Sequence, residues 1–265
     1  MTHAAEWSGE TTDGLARAGT LNVTHGQVPT PAFMPVGTRA SVKAIDVHDL
    51  AGVGTRIVLS NTYHLMLRPG AELISELGGL HTFMGWSGPI LTDSGGYQIF
   101  SLEPRISEEG AEFRSTYDGS VIHLTPEKAI RTQELLGPDI AMCLDVLVGL
   151  PNERKVVAAA MDQTLRWEER ALAVHSRGDQ ALFGIVQGGV DPELRALSDR
   201  TDATLREIVR MAVAPLEPAD VELAVEEVYA LVDGLTLHAV VGSSSPETTQ
   251  RILRATLSKL THSGA

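Results

Sequence analysis

The sequence contains one cysteine, Cys143, among 265 residues. A single thiol excludes an internal disulfide and any zinc site built from several cysteines of this chain. No stretch approaches the roughly 18 consecutive apolar residues that suggest a membrane-spanning helix, so we expect no membrane contact. The first ten residues have neither a basic region nor an apolar core. We therefore expect no secretory signal and a cytoplasmic location.

Basic residues are scarce relative to acidic ones. Lys and Arg total 21 against 34 Asp and Glu, which gives a formal net charge of −13. An acidic surface repels phosphate backbones, so this charge weighs against unaided binding to nucleic acid. The basic residues of one early region form no dense run, and we interpret most of them as solvated surface. They are Arg39, Lys43, Arg56 and Arg68.

The chain also lacks a GxGxxG motif after a strand and a Walker loop, which argues against a dinucleotide or P-loop site. Its length suits one large α/β domain with a substantial core. Short apolar runs alternate with helical patterns, as in a parallel sheet covered by helices. An open doubly wound sheet and a (β/α)8 barrel both fit this alternation. The candidate strands are residues 32–36, 56–59, 89–92, 139–144, 182–186 and 235–241.

One predicted helix has clear ends. Thr125 can cap it, Pro126 suits its first turn, and Gly137-Pro138 stops it. The longest helix is expected over 153–175, with a buried stripe at helical spacing. This stripe consists of Val157, Met161, Leu165 and Leu172. Further helices are expected over 69–77, from Asp191 and over 221–232, with an inserted hairpin in 101–122 turning at Asp118-Gly119.

Four polar residues follow apolar runs directly: Asn61, Asp93, Asp145 and Gln187. The carboxyl ends of parallel strands lie at one end of a sheet, so we expect these side chains to form one site. Two glycines follow Asp93-Ser94, and such backbone lets a flat ligand come close.

Several segments resemble one family specifically and in the same order. The sequence is similar to the tRNA-guanine transglycosylases, also called queuine tRNA-ribosyltransferases, nearly without gaps from about Gly19 to Leu197, and it diverges over 198–265. The segments are TPAFMPVGT (30–38), SNTYHL (60–65), LRPG (67–70), LGGLH (77–81), PILTDSGGYQ (89–98) and LFGIVQGG (182–189).

The resemblance implies a (β/α)8 TIM-barrel-like α/β fold, here incomplete with about six family strands and an inserted hairpin, in a single domain over 1–265. It implies exchange of guanine in a tRNA anticodon for a 7-deazaguanine, without a cofactor. The expected ligand is therefore a guanine or 7-deazaguanine base. We expect tRNA binding to need help, and we expect a homo- or hetero-oligomer.

The resemblance also assigns roles to individual residues. Asp145 and Gln187 match the base-reading pair, a carboxylate for the N1–H and 2-amino edge and an amide for the ring carbonyl. Ser94 and Gly188 add polar contacts to the base, and Tyr97 stacks on it.

Asp93 matches the family's general acid/base near the ribose. We expect a second nearby carboxylate to perturb its pKa. Asn61 would orient Asp93 or the ribose. His64 and His81 lie in family motifs, and we interpret both as structural, with no neighbouring ligand spaced for a metal.

The sequence departs from the family in several places. The family's zinc subdomain needs three cysteines and a histidine, and its nucleophilic aspartate lies in an Asp-x-x-Met-Pro-Thr-Arg-like context; neither occurs here. Val146 stands where the family has Glu, and His238-Ala239 stand in a normally glycine-rich strand. Six strands instead of eight would leave open edges. A partner, self-association or the segment 198–230 would cover them.

Three functional hypotheses stay open. The first is base exchange in tRNA, completed by a partner subunit. The second is transfer or hydrolysis on small 7-deazaguanine nucleosides or nucleotides, which the acidic charge favours. The third is a non-catalytic paralogue that binds the base.

Overall fold

The computed structural model describes residues 4–13, 16–149, 152–187, 189–190 and 210. The chain divides into two compact units, 1–187 and 188–265, and every helix and strand given below belongs to the first. The single domain over 1–265 stays a prediction, because nearly all of the second unit lies outside the described residues. The strand expected at 235–241 and the helices expected from Asp191 and over 221–232 lie outside them too.

Five parallel strands form the central sheet, and their order in the sheet follows their order in the chain. In a (β/α)8 barrel, consecutive parallel strands are neighbours and are joined through helices. The observed order therefore confirms the predicted α/β, TIM-barrel-like class. Within the described residues the sheet stays open, as expected of an incomplete barrel. The strands are β4 (Val36–Gly37), β5 (Val58–Ser60), β6 (Ile90–Thr92), β10 (Ile140–Met142) and β11 (Ala181–Phe183).

Helices connect these strands, and the predicted start and stop signals of one of them are confirmed. Thr125 Oγ1 accepts a hydrogen bond from the N–H of Lys128, and Gly137 ends the helix with φ of 72°. No helix among the described residues is long and apolar enough to cross a bilayer. The helices are α1 (Val47–Gly52), α2 (Thr62–Leu67), α3 (Ala71–Glu76), α4 (Gly79–Met84), α5 (Gly96–Phe100), α6 (Pro126–Leu136) and α7 (Arg154–Val174).

Helix α7 lies within one residue of the predicted bounds at each end, but the predicted buried stripe is confirmed at Val157 and wrong at Leu165 and Leu172. Leu165 is 58% exposed and Leu172 is 68% exposed. The Trp167 indole is buried and donates to the carbonyl of Glu108 at 2.9 Å, so the inserted segment sets which face is covered. The buried face consists of Val157, Ala160, Thr164, Trp167 and Ala171.

An antiparallel sheet that the sequence analysis missed covers the amino end of the parallel strands. Val28 from this sheet packs against Ile57, Ile140 and Ala181, which lie at or just before the starts of three parallel strands. The strand predicted at 32–36 is instead the short β4, and Phe33 is 84% exposed. The antiparallel strands are β1 (Ala5–Asp13), β2 (Ala16–Val23) and β3 (Gly26–Thr30).

The inserted hairpin is confirmed, with one more strand than expected. Its turn contains Asp118 and Gly119, and Gly119 has φ of 73°. The hairpin strands belong to a three-stranded antiparallel sheet in the order β7 (Arg105–Ile106), β8 (Ala111–Arg114) and β9 (Val121–Leu124).

The main apolar core holds the parallel strands against their helices. Val58 and Ile90 on adjacent strands are fully buried with Leu65, Ile74 and Leu136 of the covering helices. Full burial of such a side chain contributes about 1.5–3 kcal/mol relative to exposure. This packing fixes the strand ends, from which the predicted site residues project.

Candidate functional site

Asp93 follows β6 directly, and three hydrogen bonds hold its carboxylate. Asn61 Nδ2 donates to Oδ2 at 2.6 Å, as the expected orienting role requires. The backbone N–H groups of Thr62 and Gly95 donate to Oδ1 at 3.0 and 3.1 Å. Asn61 also caps α2, because its Oδ1 accepts from the N–H of His64 at 3.1 Å. The ends of β5 and β6 are thereby tied together around one acid.

Burial raises the pKa of Asp93 to about 7, and the three hydrogen bonds offset only part of that rise. The predicted cause of this shift, a second nearby carboxylate, is wrong. The donors around Asp93 are neutral amides, which stabilise the anion less than a cation would. A carboxyl group that titrates near neutrality can both give and take a proton.

Asp145 and Gln187 meet beyond the ends of the neighbouring strands β10 and β11. Gln187 Nε2 donates to Asp145 Oδ2 at 2.9 Å and to the carbonyl of Val146 at 3.2 Å. Burial raises the pKa of Asp145, while the bond from Gln187 opposes the rise. The structure thus brings the predicted base-reading pair into direct contact.

Two residues of α7 that the sequence analysis missed support this pair. Thr164 Oγ1 accepts from the N–H of Val146 at 2.9 Å and lies 3.4 Å from Gln187 Oε1, to which it donates. Glu168, one turn further on, accepts from the N–H of Ile185 in the segment that leads to Gln187. Polar residues four apart share a helix face, and this spacing was the signal available in the sequence.

The end of β6 also comes close to Asp145. A Cβ added to Gly96 would lie 2.9 Å from Asp145 Oδ1 and 3.2 Å from Ser94 Oγ. Ser94 is buried, and its Oγ accepts from the N–H of Gly96 at 3.2 Å. Gly96 therefore permits an approach that any side chain would obstruct, and it places Ser94 beside the base-reading pair.

The remaining predicted base contacts differ in their placement. Tyr97 lies on α5 and is 36% exposed, so its ring is accessible from solvent. Stacking by Tyr97 stays a prediction. Gly188 lies outside the described residues.

A small cavity of about 20 Å³ adjoins Asp145, Leu144 and Gly96. This volume holds about one water molecule, so a purine needs the surrounding side chains to move. A larger cavity of about 480 Å³ lies around α1 and is lined by none of the predicted site residues. The candidate site lies where the polar side chains meet at the strand ends, because a large cavity without such groups cannot by itself perform a reaction.

Within the described residues, three buried side-chain atoms have no hydrogen-bond partner. They are Thr62 Oγ1, His64 Nε2 and Gln98 Oε1. All three belong to α2 or α5, the helices that follow β5 and β6. Buried polar groups are normally paired, so exceptions gathered at one end of a sheet are typical of a binding site.

A different polar cluster lies at the amino end of the strands. Asp139 accepts from His25 Nδ1 at 2.9 Å, His81 Nε2 at 3.0 Å and the N–H groups of His25 and Ile90. His25, His81 and Asp139 are types that ligate metals, so the expectation of no such neighbours around His81 is wrong. Four donors already occupy the carboxylate, however, which favours a structural role.

Comparisons with known proteins identify the family to which this sequence is similar. The family profile of queuine tRNA-ribosyltransferase matches residues 12–251. A queuine tRNA-ribosyltransferase of Desulforamulus reducens is 56% identical over 185 residues, covering 69% of this chain and 50% of the relative. The Thermus thermophilus enzyme is 54% identical over 187 residues, covering 70% of this chain and 49% of the relative. The Gloeobacter violaceus enzyme is 50% identical over 197 residues, covering 74% and 52%.

The chain spans about half the length of the curated relatives it matches. The matched part includes the five parallel strands and the side chains at their carboxyl ends. Both the family profile and the relatives lead to one assignment: the chain belongs to the queuine tRNA-ribosyltransferase family.

Proposed function

We propose that this chain binds a guanine-type base and takes part in the exchange of guanine for a 7-deazaguanine at a glycosidic bond in tRNA. The observation that carries the proposal is the contact of 2.9 Å between Gln187 Nε2 and Asp145 Oδ2 at the ends of adjacent strands. The names of the relatives support the same reaction. A tRNA substrate implies a cytoplasmic location.

The Asp145–Gln187 pair complements one edge of guanine. That edge presents a carbonyl oxygen beside the N1–H and 2-amino donors. Asp145 can accept from both donors, and the Gln187 amide can donate to the carbonyl. An entering base replaces the internal bond between the two side chains. Because Asp145 is desolvated, new donors on its carboxylate are worth more than they would be in water.

Asp93 supplies the acid/base function in this proposal. Its pKa of about 7 leaves both protonation states populated at neutral pH. The protonated form donates to the departing base, and the ionised form accepts a proton from the incoming one. Asn61 holds the carboxylate during both steps. Ser94 and Gly188 contact the base, while Tyr97 covers it and contributes roughly 1–3 kcal/mol by stacking.

The net charge of −13 favours a second candidate function, action on small 7-deazaguanine nucleosides or nucleotides.

Three assays distinguish the candidate functions. Incorporation of labelled guanine into tRNA supports exchange, with or without an added partner subunit. Release of free deazapurine from a nucleoside supports the second candidate instead. Calorimetric base binding without either turnover supports a non-catalytic paralogue. The mass of the purified particle, alone and with tRNA, tests the homo- or hetero-oligomer expected from the sequence.

The base-reading assignment has its own test. Asp145→Asn should weaken binding of guanine or a 7-deazaguanine by roughly 1–3 kcal/mol, because it removes a charged acceptor from two donors. Isothermal calorimetry measures the loss. Asp162→Asn, an exposed acid on α7, is the matched control. Unchanged affinity in Asp145→Asn would remove the assignment.

A further inference from the structure

Two arginines converge on one tyrosine in the turn of the inserted hairpin. The guanidinium carbon of Arg68 lies 5.0 Å from the ring centroid of Tyr117, and that of Arg39 lies 5.4 Å from the same centroid. Both arginines belong to the early basic residues that we expect, for the most part, to be solvated surface. Both arginines are exposed, but the fold places both guanidinium groups near one aromatic ring, that of Tyr117.

This cluster of Arg39, Arg68 and Tyr117 lies at the carboxyl end of the sheet. Arg39 follows β4, and Arg68 follows α2 directly. The Tyr117 hydroxyl is 2.9 Å from His64 Nδ1. His64 in turn donates its N–H to Asn61, which holds Asp93.

On this path from the cluster to the proposed acid, His64 and Asn61 lie about one helical turn apart at the start of α2. The pKa of His64 is lowered, first by burial and then by the charge of Arg39, so the field of Arg39 reaches into this path. The cluster and Asp93 thus belong to one continuous set of contacts.

No ion pair among the described residues neutralises the charges of the cluster. On the side of α7, Arg166 pairs with Glu108 at 2.8 Å and Arg170 pairs with Glu127 at 2.7 Å. Neither Arg39 nor Arg68 forms an ion pair with any described residue. The charge of Arg68 helps to lower the pKa of exposed Asp118, after the hydrogen bonds from Ser115 and Ser120. Two positive groups thus stand together, in a protein of net charge −13, with one exposed acid nearby.

We propose that Arg39 and Arg68 bind a phosphodiester group of the RNA strand that carries the target base, with Tyr117 holding both guanidiniums in place. This inference rests on the proposed function. Guanidiniums suit phosphate because their N–H groups form a planar fork that matches two oxygens. An aromatic platform reduces the freedom that each arginine loses on binding. The cluster supplies local attraction that the overall acidic charge lacks.

The test compares two double variants of equal charge. Arg39→Gln/Arg68→Gln removes the cluster. Arg56→Gln/Arg131→Gln removes two exposed arginines located before β5 and on α6. Fluorescence anisotropy with a labelled single-stranded RNA containing guanine measures affinity across a salt series. Calorimetry with free guanine and incorporation of labelled guanine into tRNA are measured on the same samples.

The cluster variant should bind RNA at least about tenfold more weakly, the scale of a lost charged hydrogen bond. Its salt slope should fall by about 0.7, the value for one phosphate contact on a single strand. Its affinity for free guanine should not change. An equal loss in the control variant, displacement of wild-type RNA by inorganic phosphate at low concentration, or no RNA binding at all would overturn the inference.

Failure of the proposed function gives a different pattern. In that case the wild-type chain binds RNA in a cluster-dependent manner, yet it neither binds guanine nor incorporates it. The phosphate site then stands without the exchange reaction. In the converse case, the protein binds guanine, but the cluster variant binds RNA as tightly as the wild type. That result would overturn the phosphate site alone and leave the proposed function standing.

Discussion

Two aspartates at opposite ends of adjacent strands show how the same burial gives opposite chemistry. Asp93 follows β6 and has its pKa raised to about 7. Asp139 precedes β10, and although burial alone would raise its pKa, hydrogen bonds lower it to about 2. Asp93 has three neutral donors, whereas Asp139 has four, two of them imidazoles. The ionised form of Asp93, at the carboxyl end of the sheet, is therefore incompletely stabilised, whereas that of Asp139, at the amino end, is well stabilised.

This difference suits Asp93 to proton transfer and Asp139 to a structural role. Incomplete stabilisation at Asp93 costs folding energy, and two nearby buried atoms without a hydrogen-bond partner, Thr62 Oγ1 and His64 Nε2, add to that cost. Asp139 ties the antiparallel cover, through His25, to the starts of β6 and β10. Substitutions at the two positions should therefore fail in different assays.

The largest expected effect is loss of exchange in Asp93→Asn. An amide cannot give or take the proton, so the rate of labelled guanine incorporation should fall by roughly 10²- to 10⁴-fold. Folding should survive, because the amide oxygen still accepts from the N–H groups of Thr62 and Gly95. Full activity in a folded Asp93→Asn protein would contradict the assignment.

The pH dependence of stability gives the next effect. The folded pKa of Asp93 is about 7, above the ordinary value of 3.8, so the folded state binds the extra proton between these values. Stability from this group is present below pH of about 4 and is lost as pH rises through about 7. Relative to Asp93→Asn, the wild-type free energy of unfolding should fall by up to roughly 4 kcal/mol across that window. Urea titrations at several pH values measure it, and parallel curves for the two proteins would refute the raised pKa.

Asp139→Asn should have a smaller and purely structural effect. Each carboxylate oxygen accepts from two donors, so the amide nitrogen that replaces one of them opposes two of the four donors. We expect a loss of about 3 kcal/mol in the free energy of unfolding at neutral pH. The depressed pKa means that this contribution is lost as pH falls from about 4 through about 2.

The control for this effect is Asp179→Asn, which breaks an exposed pair with Arg177 and should cost no more than about 1 kcal/mol. Base affinity should stay unchanged in both variants. Equal stability losses would show that the buried cluster at the amino end is not special.

The sequence predicts the features that depend on local chemistry. Thr125 and Gly137 mark the helix ends because caps act within one turn. Asn61 and Asp93 meet because parallel strand ends lie side by side, and that rule needs no knowledge of the helices. The proximity of these two side chains at the strand ends could therefore be predicted from the sequence.

Features that depend on distant segments were missed for a physical reason. Leu165 and Leu172 follow helical spacing, but Trp167 is buried because the inserted segment packs on its face. The antiparallel cover was missed because it buries few residues fully, among them Val28, and so lacks a strong apolar pattern. The same error concealed Thr164, which lies on the buried face of α7 but is not part of the predicted apolar stripe.

Thr164 provides the smallest effect and the sharpest test of how the base-reading pair is held. Thr164→Val keeps the shape but removes the hydroxyl that accepts from Val146 and donates to Gln187. The amide of Gln187 is then free to rotate away from the carbonyl of the base, and guanine affinity should fall by about 1 kcal/mol. Thr164→Ser keeps the hydroxyl and should retain the affinity, even if both variants lose some stability through packing. Calorimetry on both variants decides the matter: matched losses of affinity would mean that Thr164 only fills space, whereas rescue by serine would show that its hydroxyl orients Gln187 toward the base.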